Sequence, residues 1–257
     1  MGVLIKIDGV TFTEPNIIGK VEIPVDPVYI TDYPDRETDT TLKGLYALGG
    51  TVDATLTNHA SEPHANLQDE SLEGAYVMAD SYVEFSGVAN QCRMNTYLQT
   101  DTAKATTLIA LFSVQPEQGA VYDYRPIISA RLAGKNGYSL MSGHAYLGMG
   151  GTATAVPATD AINSNNFAIL TMVTDEQGCR VYRYTNDSLV LLGEREGTVD
   201  GIETAKFVIG GNSTSNKYPA AKISLAAIHD SADPVDKLED ICAFVKDYGK
   251  YKGLIIE

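Results

Sequence analysis

Two stretches of this chain set aromatic rings beside hydrogen-bonding side chains. Residues 115–126, QPEQGAVYDYRP, carry Tyr122, Asp123, Tyr124 and Arg125; residues 210–219, GGNSTSNKYP, carry Asn212, Asn216 and Tyr218. A sugar ring asks for this mixture: an apolar face that stacks on an aromatic ring, and hydroxyls that bond to Asn, Asp and Arg. With fifteen tyrosines and no tryptophan, Tyr is the residue that must supply such a face. The plainer alternative is two solvated loop tips whose tyrosines cover the edge of a core, since loops are polar by default.

Other chemistry is weaker. His59 and His64 share the loop TNHASEPHANLQDE with Glu62 and Asp69, and a five-residue gap could turn both imidazoles toward one ion. No third ligand is set by spacing, so an ordinary surface loop explains the stretch and no metal site is assigned. His144 and His229 stand alone in strand-like runs, where a hydrogen-bonded imidazole suffices. Cys92, Cys179 and Cys242 are widely separated without a C-x-x-C pair, which signals neither a disulfide framework nor zinc. YLGMGGTATA supplies Gly148, Gly150 and Gly151, but Ala153 stands where a dinucleotide fingerprint needs its third glycine, and no helix follows. A G-x-S-x-G nucleophile elbow is also missing.

The 257 residues carry a formal net charge of −14. That opposes docking on phosphate backbones, which depends on Lys and Arg displacing counterions, so neither nucleic acid nor anionic membrane is an expected partner. Lys6 and Asp8 interrupt what would be the apolar core of a leader in MGVLIKIDG, and no apolar run approaches the ~18 residues of a membrane helix. Synthesis in a cytoplasm, without a signal peptide, is the expectation.

The elements that must position these residues are mostly strands. Residues 3–12, VLIKIDGVTF, predict two short strands about Asp8-Gly9. Pro15, Pro24, Pro27 and Pro34 then forbid a helix, so residues 1–40 are expected to form an extended arm and 41–257 the main domain. TTLIALFSV (106–114) reads as a strand buried on both faces, and GYSLMSGHAYLGMG (137–150) as a hairpin at Ser142-Gly143. Runs at 167–175, 179–185 and 188–194 form a meander, followed by strands at 206–211 and 221–229. Short strands at this spacing predict a sandwich. One helix closes the chain, with Asp233 as N-cap, Pro234 at the first position, Leu238, Ile241, Cys242 and Val245 on one face, and Gly249 at its end.

This order of elements resembles the concanavalin A-like lectin/glucanase superfamily, in particular its laminin G-like branch. The likeness is carried by LYALGG (45–50), YVEFSG (82–87), the meander from Phe167 to Glu194, and the last strand and helix. It implies an all-β, concanavalin A-like jelly-roll sandwich with an extended N-terminal arm and a short C-terminal helix, that helix packing against the edge of the sandwich. An enzyme of the superfamily would be a glycoside hydrolase needing paired carboxylates on one strand. The nearest run is GEREG (193–197), where Glu194 and Glu196 share a face if extended; it lacks a middle acid, and a solvated hairpin end is expected instead. No catalytic residue is assigned, and no cofactor beyond the rim calcium that the resemblance allows without ligands.

Laminin G-like modules without leaders occur among bacteriophage virion proteins, and VLIKIDGVTFTEPNI resembles the start of tail-associated ones. The expectation is a non-enzymatic virion structural protein, tail-associated or decorating. Its arm would anchor it to other virion proteins by strand addition, it would form a homo-oligomer, and its sandwich would face a host surface glycan. The alternatives are a free-standing carbohydrate-binding lectin and, behind it, a glycoside hydrolase.

Overall fold

The computed structural model describes residues 27–61, 70–86, 92–99, 105–115, 125–130, 137–142, 166–196, 204–211 and 218–257, and the backbone of 144–149 and 152–157. The hairpin expected at Asp8-Gly9 and the loop residues Glu62, His64 and Asp69 lie outside the described residues. In chain order the first strands are β1 (Leu42–Ala47), β2 (Ser71–Glu73), β3 (Tyr76–Met78), β4 (Val83–Phe85), β5 (Arg93–Gln99), β6 (Thr106–Gln115), β7 (Pro126–Ala130) and β8 (Tyr138–Met141). They continue as β9 (His144–Met149), β10 (Thr152–Pro157), β11 (Ala168–Asp175), β12 (Gly178–Thr185), β13 (Ser188–Glu196), β14 (Lys206–Ile209) and β15 (Ala220–His229). Among the described residues a 3-10 turn (Ile30–Asp32) and the α-helices α1 (Val52–Leu56) and α2 (Val235–Tyr251) accompany them.

One sheet runs β13-β12-β11-β6-β15-β4-β3, with β1 also paired to β15; the other runs β10-β9-β8-β7-β14-β5-β2. All ladders between these strands are antiparallel. The protein is therefore an all-β sandwich with a C-terminal helix, as its strand pattern implies.

Strand alternation divides the core into two layers. Along β6, Leu108, Ala110, Phe112 and Val114 face the opposite sheet, while Ile109 and Leu111 face outward. The outward residues are covered by Leu238, Ile241, Cys242, Val245 and Tyr248 of α2, so β6 is buried on both sides and its continuous apolar run has a physical reason. The helix thus covers the outer face of a sheet, where an edge position was expected. Leu238, Ile241 and Val245, each worth about 1.5–3 kcal/mol when fully buried, make the helix part of the scaffold.

The helix termini also differ from their sequence signals. Pro234 is the N-cap, and Asp233 turns its side chain into a buried network instead of capping. Gly249 lies within α2, where an added Cβ would come within 2.6 Å of Ile256 and 2.8 Å of Leu111. Its role is close packing; Gly253, at φ 77°, makes the left-handed turn. The chain then returns to β11, where Phe167 and Ile256 form a parallel bridge.

The described end of the expected arm is packed on the sandwich. Tyr33 is buried beneath α2, edge-on to Phe244 at 5.5 Å, and its hydroxyl lies 2.9 Å from His229 Nε2.

Candidate functional site

The two ends of the sandwich differ in how their arginines are used. At the end where β7, β5 and β15 begin and β4 and β14 finish, Arg125 is 2% exposed. Its Nε donates to Gly210 O, Nη1 to Ser86 O and Pro219 O, and Nη2 to Cys92 O, at 2.7–3.1 Å. The guanidinium lies 6.0 Å over the Phe85 ring, and Arg125 N–H donates to Ser142 Oγ. One side chain so ties four chain segments that are far apart in sequence. Tyr218 is also buried, at 7% exposure. Of the expected ligand contacts, these two are buried, and Arg125 turns its guanidinium inward onto main-chain carbonyls. Tyr122, Asp123, Tyr124, Asn212 and Asn216 lie outside the described residues.

The opposite end follows from register: Thr106 of β6 pairs with Thr174, Asp175 with Gly178, and Gly178 with Glu196. Here a cavity of about 360 Å³ is lined, among the described residues, by 177–180 at the start of β12 and 194–196 at the end of β13. Gly178 has φ 149° and sits so close to the neighbouring strand that a Cβ would lie 1.8 Å from Arg195 O, which is why only glycine fits. β13 does run extended through Glu196, so Glu194 and Glu196 share one face and both are exposed. Arg195 stands opposite Cys179 on the other face, and its Nη1 is buried with no hydrogen-bond partner among the described residues. An unmet buried donor of this kind costs about 1–3 kcal/mol. Arg180 instead pairs with Asp175. Burial pushes the Cys179 thiol up to about 12, so it stays protonated at neutral pH and offers no nucleophile.

On the helix side of this same end, two carboxylates, a lysine and a histidine lie against one another. His229 Nδ1 lies 3.1 Å from Asp233 and 3.3 Å from Asp39, and Lys237 Nζ bonds to Asp39 at 2.7 Å and Asp233 at 2.9 Å. The hydrogen bond from His229, helped by Lys237 and Thr41, holds the Asp39 carboxyl well below the usual carboxylate range despite its burial. Burial works against the Lys237 charge, but its bonds to Asp39 and Asp233 prevail and raise its pKa. Tyr33, His229, Asp39, Asp233 and Lys237 thus fasten residues 27–41 to the junction of β15 and α2. His229 is the hydrogen-bonded strand imidazole that its sequence position suggests. His59, the described member of the expected histidine pair, has its pKa lowered by burial and by Arg36. Among the described residues no group of three or more His, Cys, Asp and Glu could hold a metal ion.

No family model matches the chain, and no curated protein matches it. Solved structures share its fold. Domain 4 of an extracellular arabinanase from Geobacillus stearothermophilus, in complex with arabinotriose, aligns with TM-score 0.57 and 16% identity over 78% of this chain and 98% of that one. The binding domain of botulinum neurotoxin serotype D aligns with TM-score 0.55 and 9% identity over 80% of this chain and 51% of that one. Trypanosoma rangeli sialidase in complex with sialic acid aligns with TM-score 0.54 and 14% identity over 80% and 33%. The chain spans about half the length of the toxin binding domain and a third of the sialidase. What these neighbours have in common with this protein is the sandwich, compatible with a concanavalin A-like fold.

Proposed function

We propose that this chain is a non-catalytic, carbohydrate-binding β-sandwich. One observation carries the reading: the likeness to the arabinanase domain spans 98% of that domain, which was solved with arabinotriose. The alignment takes up 78% of this chain, and the sandwich here ends in a polar cleft. Binding of a neutral or acidic glycan on an array, with a dissociation constant in the micromolar to millimolar range, is the expected result; a chain that retains no glycan at all would remove the reading. The tyrosine-bearing loops are proposed as further contacts, tested by Tyr124→Ala.

The finer setting we infer is a bacteriophage particle, with the chain carried as a tail-associated or decorating homo-oligomer that presents its sandwich to a host surface glycan. Its support is the resemblance of VLIKIDGVTFTEPNI to tail-associated proteins. Removing residues 1–26 should abolish incorporation into particles while leaving the clasp around Tyr33 intact; particles that incorporate the shortened chain would contradict anchoring by the arm.

A second reading, glycoside hydrolysis, is favoured by Glu194 and Glu196 sharing one face beside a cavity. Turnover of an oligosaccharide that is lost in Glu194→Gln would establish it in place of simple binding.

A further inference from the structure

Glu194, Arg195 and Glu196 are consecutive, so β13 sends two carboxylates to one face and the guanidinium to the other. They cannot neutralise one another, and their side chains make no hydrogen bond or ion pair with the described residues. Both kinds of charge nevertheless border one cavity, together with Gln177 and Arg180. Counting Asp175, which holds Arg180, the cleft has three acids against two bases. A carboxylate or phosphate therefore gains little by entering, because each guanidinium it approaches is offset by nearby negative charge. A polyol fits better. Adjacent hydroxyls donate to a carboxylate and accept from a guanidinium at once, which satisfies both signs without adding charge.

Resting on the carbohydrate-binding reading, the geometry points to this cleft as the site for one residue of a neutral sugar with vicinal hydroxyls, bonded by Glu194 and Glu196 on the face they share with Arg180, with Arg195 bordering the cleft from the other side of β13. Its volume of about 360 Å³ falls near the small end of ligand pockets, roughly 300–1,000 Å³, and so suits a single ring better than a long chain. Gly178 keeps the β12 backbone tight against Arg195 O, which fixes the wall that the ring would meet.

The test is isothermal titration of the full chain with neutral oligosaccharides, arabinotriose among them, and with uronic-acid oligosaccharides of equal length. It is repeated on the double variant Glu194→Gln with Glu196→Gln, and separately on Arg195→Gln. The two glutamates are exposed, so the double variant keeps the fold. The expected result is at least tenfold preference for a neutral sugar, and a loss of about tenfold or more in the double variant, the scale of a charged hydrogen bond. Equal or tighter binding of the acidic sugars overturns the ligand class. Binding unchanged in both variants overturns the site and leaves carbohydrate binding standing, whereas no binding of any sugar by the unaltered chain removes the carbohydrate reading and this site with it.

Discussion

Arg125 and Arg195 sit at opposite ends of one sandwich and have opposite lives. The first gives hydrogen bonds to four backbone carbonyls and is 2% exposed. The second has an Nη1 that is buried beside a cavity with no partner among the described residues. Arg125 lies where strands from both sheets converge, so carbonyls surround it. Arg195 lies near the end of β13, the outermost strand of its sheet, where few main-chain acceptors remain. Position in the sheet, then, decides whether an inward-turned cation is absorbed by the scaffold or left for something else.

Arg125→Met tests the first half with the largest expected effect. Several bonds to a charged donor, each worth about 1.5–3 kcal/mol, disappear together and leave buried carbonyls unmet, so urea unfolding should show a loss of roughly 4 kcal/mol or more. A loss near zero would mean that Arg125 does not tie the segments it touches. Asp39→Asn addresses the helix side of the opposite end, where Asp39 pairs with Lys237 and lies beside His229; breaking a buried network of this kind costs about 3 kcal/mol. Its pH dependence has a definite sign. Because the folded state holds the Asp39 pKa below its unfolded value near ~4, the stabilisation is full above that value and fades as pH falls further. Acid titration of unfolding should therefore show a steeper decline below about pH 4 in the unaltered chain than in Asp39→Asn.

Gly178→Ala presses on the cavity wall. A Cβ at positive φ and 1.8 Å from Arg195 O cannot be accommodated without separating β12 from β13, so a loss of about 2 kcal/mol in thermal unfolding is expected. Arg195→Met should change stability least, by about 1 kcal/mol or less in either direction, since it removes an unmet donor along with the charge. A large loss there would erase the contrast with Arg125.

Much of the scaffold is legible in the sequence because it is local. The β11–β12–β13 meander follows from turn residues: Asn186 and Asp187 adopt φ of 50° and 59°, as a two-residue hairpin turn requires. The two-faced burial of β6 is likewise readable from its apolar run. What escaped is set by long-range pairing. Tyr33 and His229 meet across 196 residues, and nothing near either announces it. Arg125 follows tyrosines and an aspartate, so its neighbours suggest an exposed loop, whereas its side chain answers to carbonyls 33 to 94 positions away. The acids of GEREG were visible as a pair, but Gln177 and Arg180 join them only once β12 and β13 are in register. Gly249 shows the limit of a terminus signal: glycine also serves where two elements must touch, and there the helix simply continues.

The most direct test is an amide chemical-shift map of the full chain titrated with a neutral oligosaccharide that it binds. Saturable shifts that include 177–180 and 194–196 are predicted. Shifts confined to the surroundings of Arg125 and Tyr218, with none at 177–180 or 194–196, would contradict the division of roles between the two arginines.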